Sequence, residues 1–469
     1  MIRPRLLLLA LVAPALAVLA LPATASKPPA RPAVSGLLPG TGNKRVNHNA
    51  EPALAAAPDG TLWATSNALA TGCGRPTNCG SDIWSSRDGG RHWRWVANPF
   101  VTADPTGTYM MGGGDNDIAV APEKNSSGHY NVYVASLWVS NSIAVSGDGG
   151  ETWRVLPIES PPGTYGLFPM GAPATMPANA YADRPWIGAD GPCTLLFAFN
   201  EVPGNQTLLQ RYDACQAGLP VRDGASLPFG DTASVLGKVS GRFVVDTGAR
   251  SPHRHAVYYP AVGSNKVFVQ ASTDGLTWTR HVVAPFSDDS TTVPIWPVTA
   301  AVDAAGRVYV AWHDTFHAYF ASSGDGGATW TEPVRLDGAR STAAYPTVAA
   351  AGKGVVSVLW YGTARPGPAN DPEGMGAPAS KKGAVWQVYE TRSSDGGRHF
   401  TKPVPVSGPV HRGIVCVGGG GCAADGSRNL LDDFGVVFVP GTSRVAAVYT
   451  TDQPGGQRVD RKTAYVALG

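Results

Sequence analysis

The chain has 469 residues, a formal net charge of +2, 15% charged residues, 57 glycines and 40 prolines. This length exceeds one small domain and suits one large repeat fold, while the Gly and Pro content suits an all-β chain with many turns. Because Arg3 and Arg5 sit at the extreme N-terminus, the remainder is near neutral, and nothing favours nucleic acid or an anionic membrane as partner.

Arg3 and Arg5 precede an apolar run from Leu6 to Leu21, broken by Pro14, and then Ala23-Thr24-Ala25. The pattern predicts a secretory signal peptide over 1–25, hence a secreted, extracellular protein with no membrane attachment after cleavage. Residues 26–45, rich in Pro, Lys and Arg, read as a linker or a late-closing strand; 46–469 read as a single domain. The six cysteines fall into local pairs, Cys73 with Cys79, Cys193 with Cys215 and Cys416 with Cys422. Six cysteines allow about 15 pairings. Disulfides suit an exported chain, and zinc lacks clustered histidines at ligand spacing.

From residue 46 onward one signature recurs, Ser-x-Asp-x-Gly-x-x-Trp. It occurs at Ser86–Trp93, Ser146–Trp153 and Ser323–Trp330, with Phe400 closing Ser393–Phe400, and one residue short at Ser272–Trp278. Asp and Ser close a tight turn through nearby backbone amides, and Gly takes positive φ. Short β-branched and aromatic runs flank each copy, as in Thr61–Thr65, Asn131–Ala135, Arg307–Trp312 and Val355–Tyr361. Each unit therefore reads as four strands, A to D, with the signature as the C–D turn.

The signature aspartates stand at 88, 148, 274, 325 and 395. The interval from 148 to 274 is about double its neighbours, so a unit without the signature lies inside it, around Arg184–Ala189 and Thr194–Phe199. Another follows Asp395, around Phe434–Val439 and Arg444–Tyr449. The expected fold is an all-β, seven-bladed β-propeller of four-stranded antiparallel blades, with six blades as the runner-up. Gly362 to Lys382 reads as a long B–C insertion in unit six.

In such a blade the starts of strand A and the ends of strand B share one face, and the signature turns lie on the other. The first face collects Glu51, Asp115, Asp117, Asp183, Arg184, Trp296, Tyr345, Arg428, Asp432 and Asp433 from A starts. It collects Asn200, Glu201, His313, Asp314, Tyr361 and Asp452 from B ends. Carboxylates, arginines and aromatics on one funnel suit a carbohydrate ligand. Glu51, Asp117, Asp183, Asp433, His313 and Tyr361 are the catalytic candidates. Arg184, Arg428, Trp296, Tyr345 and Glu201 are the substrate-binding ones. Each has a plainer reading: Asp117 as a turn former, Asp183-Arg184 as an ion pair, Trp296 and Tyr345 as packing. No metal or cofactor is expected, though Asp115-x-Asp117 or Asp432-Asp433 could offer oxygen ligands to Ca²⁺.

The repeated signature resembles the Asp-box (BNR) repeats of the sialidase superfamily, over most of the chain after the leader. Ala182-Asp183-Arg184-Pro185-Trp186 and Arg428–Phe434 also resemble unit openings of secreted bacterial sialidase-like proteins. The resemblance implies a propeller and a glycan-directed activity. Family sialidases use three arginines, a Tyr nucleophile with a Glu, and an Asp acid/base; their Arg-Ile-Pro motif is absent here, Arg184-Pro185 being the nearest match. That argues against a true exo-sialidase. The expected function is a sialidase-like glycoside hydrolase, acting as a monomer on a carbohydrate. The alternatives are a non-catalytic glycan- or protein-binding propeller, and a polysaccharide lyase using His313 and Tyr361.

Overall fold

A computed structural model describes residues 33–40, 49–67, 80–103, 113–137, 141–157, 182–201, 206–217, 221–227, 239–263, 266–285, 295–338, 340–417, 422, 425–432, 434–452 and 462–469. The predicted leader and the pair Cys73 and Cys79 lie outside these residues. The described strands form seven antiparallel sheets. Blade 1 runs Ala50–Ala56, Leu62–Asn67, Ser81–Ser86 and Arg94–Ala97; blade 2 runs Asn116–Lys124, Tyr130–Leu137, Asn141–Ser146 and Arg154–Pro157. Blade 3, which lacks the signature, runs Ala182–Asp190, Thr194–Glu201, Gln206–Asp213 and Val221–Leu227. In blade 4 strand A is split into Val239–Ser240 and Val244–Val245, both pairing with Val257–Gly263, followed by Lys266–Ser272 and Thr279–Pro285. Blade 5 runs Ile295–Val302, Val308–His313, Ala318–Ser323 and Val334–Arg335; blade 6 runs Thr342–Ala351, Val355–Thr363, Val385–Ser393 and Val404–Pro405.

Blade 7 draws on both ends of the chain. Gly435–Phe438, Val445–Thr451 and Lys462–Leu468 are its inner three strands, and Ala33–Leu37 pairs antiparallel with Lys462–Leu468 as the fourth. The inner strands touch in order around the ring, and blade 7 meets blade 1 to close it. The molecule is a seven-bladed propeller. No helix among the described residues is long and apolar enough to cross a membrane.

The signature turns owe their residues to two jobs. At Ser86–Trp93 the Ser86 hydroxyl donates to Asp88 Oδ1 (2.9 Å) and accepts from Gly90 N–H (3.0 Å), while Asp88 Oδ1 also accepts from the N–H groups of Arg91 and His92. The Trp93 indole then donates to the Gly90 carbonyl (3.0 Å). The second job is between blades. Gly150 sits at φ 89°, and a Cβ there would lie 2.6 Å from Trp63 of blade 1, so only glycine lets the turn close onto its neighbour. In the shortened copy of blade 4 the Trp278 indole N–H finds no partner among the described residues. In blade 3 the Cys193–Cys215 disulfide joins the A–B turn to the C–D connection, where the signature would otherwise stand. Buried Trp84, Trp186, Trp312, Trp360 and Trp386 fill the wedges of the ring.

Candidate functional site at the mouth of the ring

Four inner strands begin on an X-Pro pair: Glu51-Pro52, Arg184-Pro185, Trp296-Pro297 and Tyr345-Pro346. Proline has no N–H to give a ladder, which is tolerable on an inner edge strand at a bulge. The pairing register breaks at each of these four places. At three of these bulges the residue before proline takes the left-handed conformation: φ is +49° at Glu51, +59° at Arg184 and +54° at Tyr345. Non-glycine residues held there carry about 1–3 kcal/mol of strain each, and such strain gathers where a site needs it. Leu431, just before Asp432, shares this conformation at +55°.

Blade 4 reaches the same level differently. Its inner strand breaks at Gly241-Arg242-Phe243, and a Cβ on Gly241 would lie 1.6 Å from the Val298 carbonyl oxygen. Only glycine fits, and the chain turns there with Arg242 at the break.

Two guanidinium groups from separate parts of the ring, Arg184 and Arg428, meet on Asp432, and a third, Arg242, pairs with Asp117. Arg184 Nη2 lies 3.4 Å from Asp432 Oδ2, and its Nη1 3.4 Å from Asp115. Arg428 Nη2 lies 2.5 Å from the same Asp432 oxygen. Arg242 Nε faces Asp117 at 3.1 Å, its Nη1 donates to the Phe434 carbonyl (3.5 Å), and its Cζ lies 5.2 Å from the centre of a Trp186 ring. Burial works against the Arg428 charge, yet Asp432, Glu51 and Tyr345 raise its proton affinity overall. Asp117 is buried among two backbone N–H donors, Ile118 (2.9 Å) and Ile187 (3.1 Å), as well as Arg242. Burial pushes its carboxyl upward while those donors and Arg242 pull the other way. With two backbone donors fixed on it, Asp117 serves to hold the Arg242 charge. Asp115, Asp117 and Asp432, weighed above as Ca²⁺ ligands, each face an arginine.

Glu51, 8% exposed, is pinned from three blades. Its N–H donates to Thr450 Oγ1 (3.0 Å), its carbonyl accepts from Asn116 Nδ2 (3.0 Å), and its Oε2 accepts from Asn67 Nδ2 (2.8 Å). Tyr345 is buried and donates its hydroxyl to the Cys416 carbonyl (3.1 Å), beside the Cys416–Cys422 disulfide. Burial, and then the charge of Asp432, pushes its phenol well above the ordinary range. His313 is fully buried, edge-on to Tyr345 at 5.2 Å. Tyr361, also fully buried, makes both of its hydroxyl bonds to the backbone of Thr450 in blade 7. The turn bearing Arg428 and Asp432 is tied down by Asn429, which donates to Asp452 (3.0 Å), itself 2.8 Å from His411.

Among the expected residues, then, Glu51, Arg184, Tyr345 and Arg428 belong to one cluster, with Asp117 one layer out and His313 and Tyr361 behind it. Asp183 and Glu201 lie on the first and second strands of blade 3, and Trp296 on the first of blade 5. Asp433 lies outside the described residues. Sequence reasoning missed Arg242, Asn67, Asn116 and Thr450 as site residues. Gly241 before Arg242 was the available signal for the first, and the place of Asn67 at a B-strand end, like that of Asn200, for the second.

No family model matches the chain, and no curated protein does. Similar solved structures include the NanB sialidase from Streptococcus pneumoniae, 11% identical with a TM-score of 0.43 over 92% of this chain and 70% of that one. An α-L-arabinanase from Penicillium chrysogenum is 12% identical, TM-score 0.44, over 94% and 98%. The intramolecular trans-sialidase from Ruminococcus gnavus is 14% identical, TM-score 0.41, over 93% and 97%. Likeness at this level carries no argument about what the chain does.

Proposed function

We propose that this chain is an exported glycoside hydrolase acting at the mouth of its ring on a carbohydrate that bears an anionic group. The observation that carries the reading is that Arg184 and Arg428 share Asp432 beside Glu51, with Arg242 on Asp117 nearby, and that the backbone is strained into place at Glu51 and Arg184. The arginines bind the anion, Asp432 and Asp117 orient them, and Glu51, as its carboxylate, takes the proton from the attacking water. Tyr345 and Trp186 wall the site. The Asp-box resemblance agrees with a glycan ligand, and the Cys193–Cys215 and Cys416–Cys422 disulfides agree with export.

The test is turnover of 4-methylumbelliferyl glycosides, neutral and carboxylate-bearing, by the wild type, Glu51→Gln and Arg184→Lys. Hydrolysis of an acidic glycoside is expected, with kcat lowered about 10²–10⁴-fold by Glu51→Gln. Arg184→Lys keeps the charge but not the fork, and should raise KM for acidic substrates alone. A second reading, a binding propeller, draws on the engagement of Asp115, Asp117 and Asp432 by arginines. Retained binding with no turnover of any glycoside would favour it.

A further inference from the structure

Two buried asparagines beside Glu51 are arranged against their own interest. Asn67 and Asn116 are 1% and 2% exposed. Each gives its Nδ2 to Glu51, Asn67 to the carboxylate and Asn116 to the backbone carbonyl. Each leaves its side-chain carbonyl oxygen buried without a hydrogen-bond partner among the described residues. A buried polar atom left in that state costs about 1–3 kcal/mol. A side chain selected for stability alone would satisfy both ends of its amide. The position of Asn67 follows from register: it stands opposite Ala50 across the inner strand pair of blade 1, next to the bulge that displaces Glu51.

Resting on the reading of Glu51 as the proton-moving group, we propose that Asn67 is a positioning residue that holds the Glu51 carboxylate ionised and in one rotamer. The reason is chemical. A donor aimed at a carboxylate oxygen stabilises the anion and not the acid, so it lowers the proton affinity of that carboxyl. It also fixes χ angles that a Glu side chain would otherwise sample, on a backbone already set at φ +49°. Among the described residues, the ionisable groups that couple to Glu51 include Arg428, from the connection between blades 6 and 7, and Tyr345 from blade 6. Its other described neighbours, Asn67, Asn116 and Thr450, are neutral. Arg428 is shared with Asp432, while Asn67 donates directly to the carboxylate oxygen.

The experiment is the pH profile of kcat/KM for whichever 4-methylumbelliferyl uronide or nonulosonide the wild type hydrolyses fastest. It is measured for the wild type, Asn67→Leu, Asn67→Asp and Glu51→Gln. Removing the donor should move the acidic limb upward, by about half a pH unit in Asn67→Leu and about one unit in Asn67→Asp, where a second carboxylate adds repulsion. A merely structural role would lower the plateau without moving the limb. If Glu51→Gln is inactive while the limb stays put in both Asn67 variants, the inference is overturned and the Glu51 reading survives. If Glu51→Gln is as active as the wild type, or no glycoside is turned over at all, both fall together. Should Asn67→Leu not fold, Asn67→Asp, which keeps the side-chain volume, decides alone.

Discussion

Replacing Tyr361 by Phe separates a supporting role from a chemical one in a single side chain. The inner strand of blade 7 pairs with Val445–Val448. Beyond it, at Thr450, the Tyr361 hydroxyl stands in for a strand: it accepts from the Thr450 N–H at 2.9 Å and donates to the Thr450 carbonyl at 3.2 Å. Phe fills the same volume and removes both bonds, leaving two buried backbone groups unmatched. At about 1–3 kcal/mol for each such group, the loss should be about 2–6 kcal/mol. Urea unfolding followed by tryptophan fluorescence reads it as a lower midpoint at unchanged slope. Turnover, measured where the variant stays folded, should fall by less than about tenfold, because Thr450 holds the Glu51 N–H through its hydroxyl, which the substitution leaves in place. An unchanged midpoint would refute the capping argument. A loss of turnover above about 10²-fold with intact folding would instead make Tyr361 a proton-transfer group, and the lyase reading would return.

The remaining expectations concern the ring. Asp325 accepts from the Thr329 hydroxyl, the Thr329 N–H (2.9 Å) and the Ser323 hydroxyl (2.7 Å), which hold its carboxyl at about 2. Its folded value lies below the unfolded one, so its stabilisation is present above pH of about 4 and is lost as pH falls towards 2. Asp325→Asn should therefore be less stable than the wild type at pH 6 and converge with it near pH 2; parallel curves would refute this. Removing the Cys193–Cys215 disulfide by a double Ser substitution should cost about 3 kcal/mol, from a sequence separation of 22. Equal urea midpoints under oxidising conditions would contradict it. Inserting a glycine after Gly275 restores the full turn, in which Trp93, Trp153 and Trp330 each donate to a glycine carbonyl. Trp278 should then gain that bond, worth about 1 kcal/mol, and a lowered unfolding midpoint would count against the turn argument.

The architecture was readable because the turn chemistry is local: Ser, Asp and Gly within eight residues specify each turn, and their spacing exposes the unit that lacks one. The X-Pro starts of the inner strands were readable for the same reason. What escaped was set by ring closure. Arg242 joins Asp117 and Phe434 only because blades 2, 4 and 7 face one another across the mouth, and no spacing in the chain encodes that. Likewise Asn67 is an ordinary strand-end residue until the register opposite Ala50 places its amide on Glu51. Tyr361 and His313 were legible as strand ends, but not the depth at which they are buried. That depth depends on the packing of blades 6 and 7 and on the connection through Cys416.

The fourth strand of blade 7 comes from the other end of the chain, with Ala33 beside Leu468. The two ends of the folded unit are therefore neighbours, and the order in which the blades are written along the chain is arbitrary with respect to the finished ring. A circular permutant that joins residue 469 to residue 33 through a short linker, and opens at the exposed turn around Gly441, would keep every blade intact. The present order has its own effect. The first strand cannot pair until the last has been made, so the closing step couples the whole length of the chain, and clipping a few residues from either end of the folded unit should loosen the ring as a whole rather than one blade.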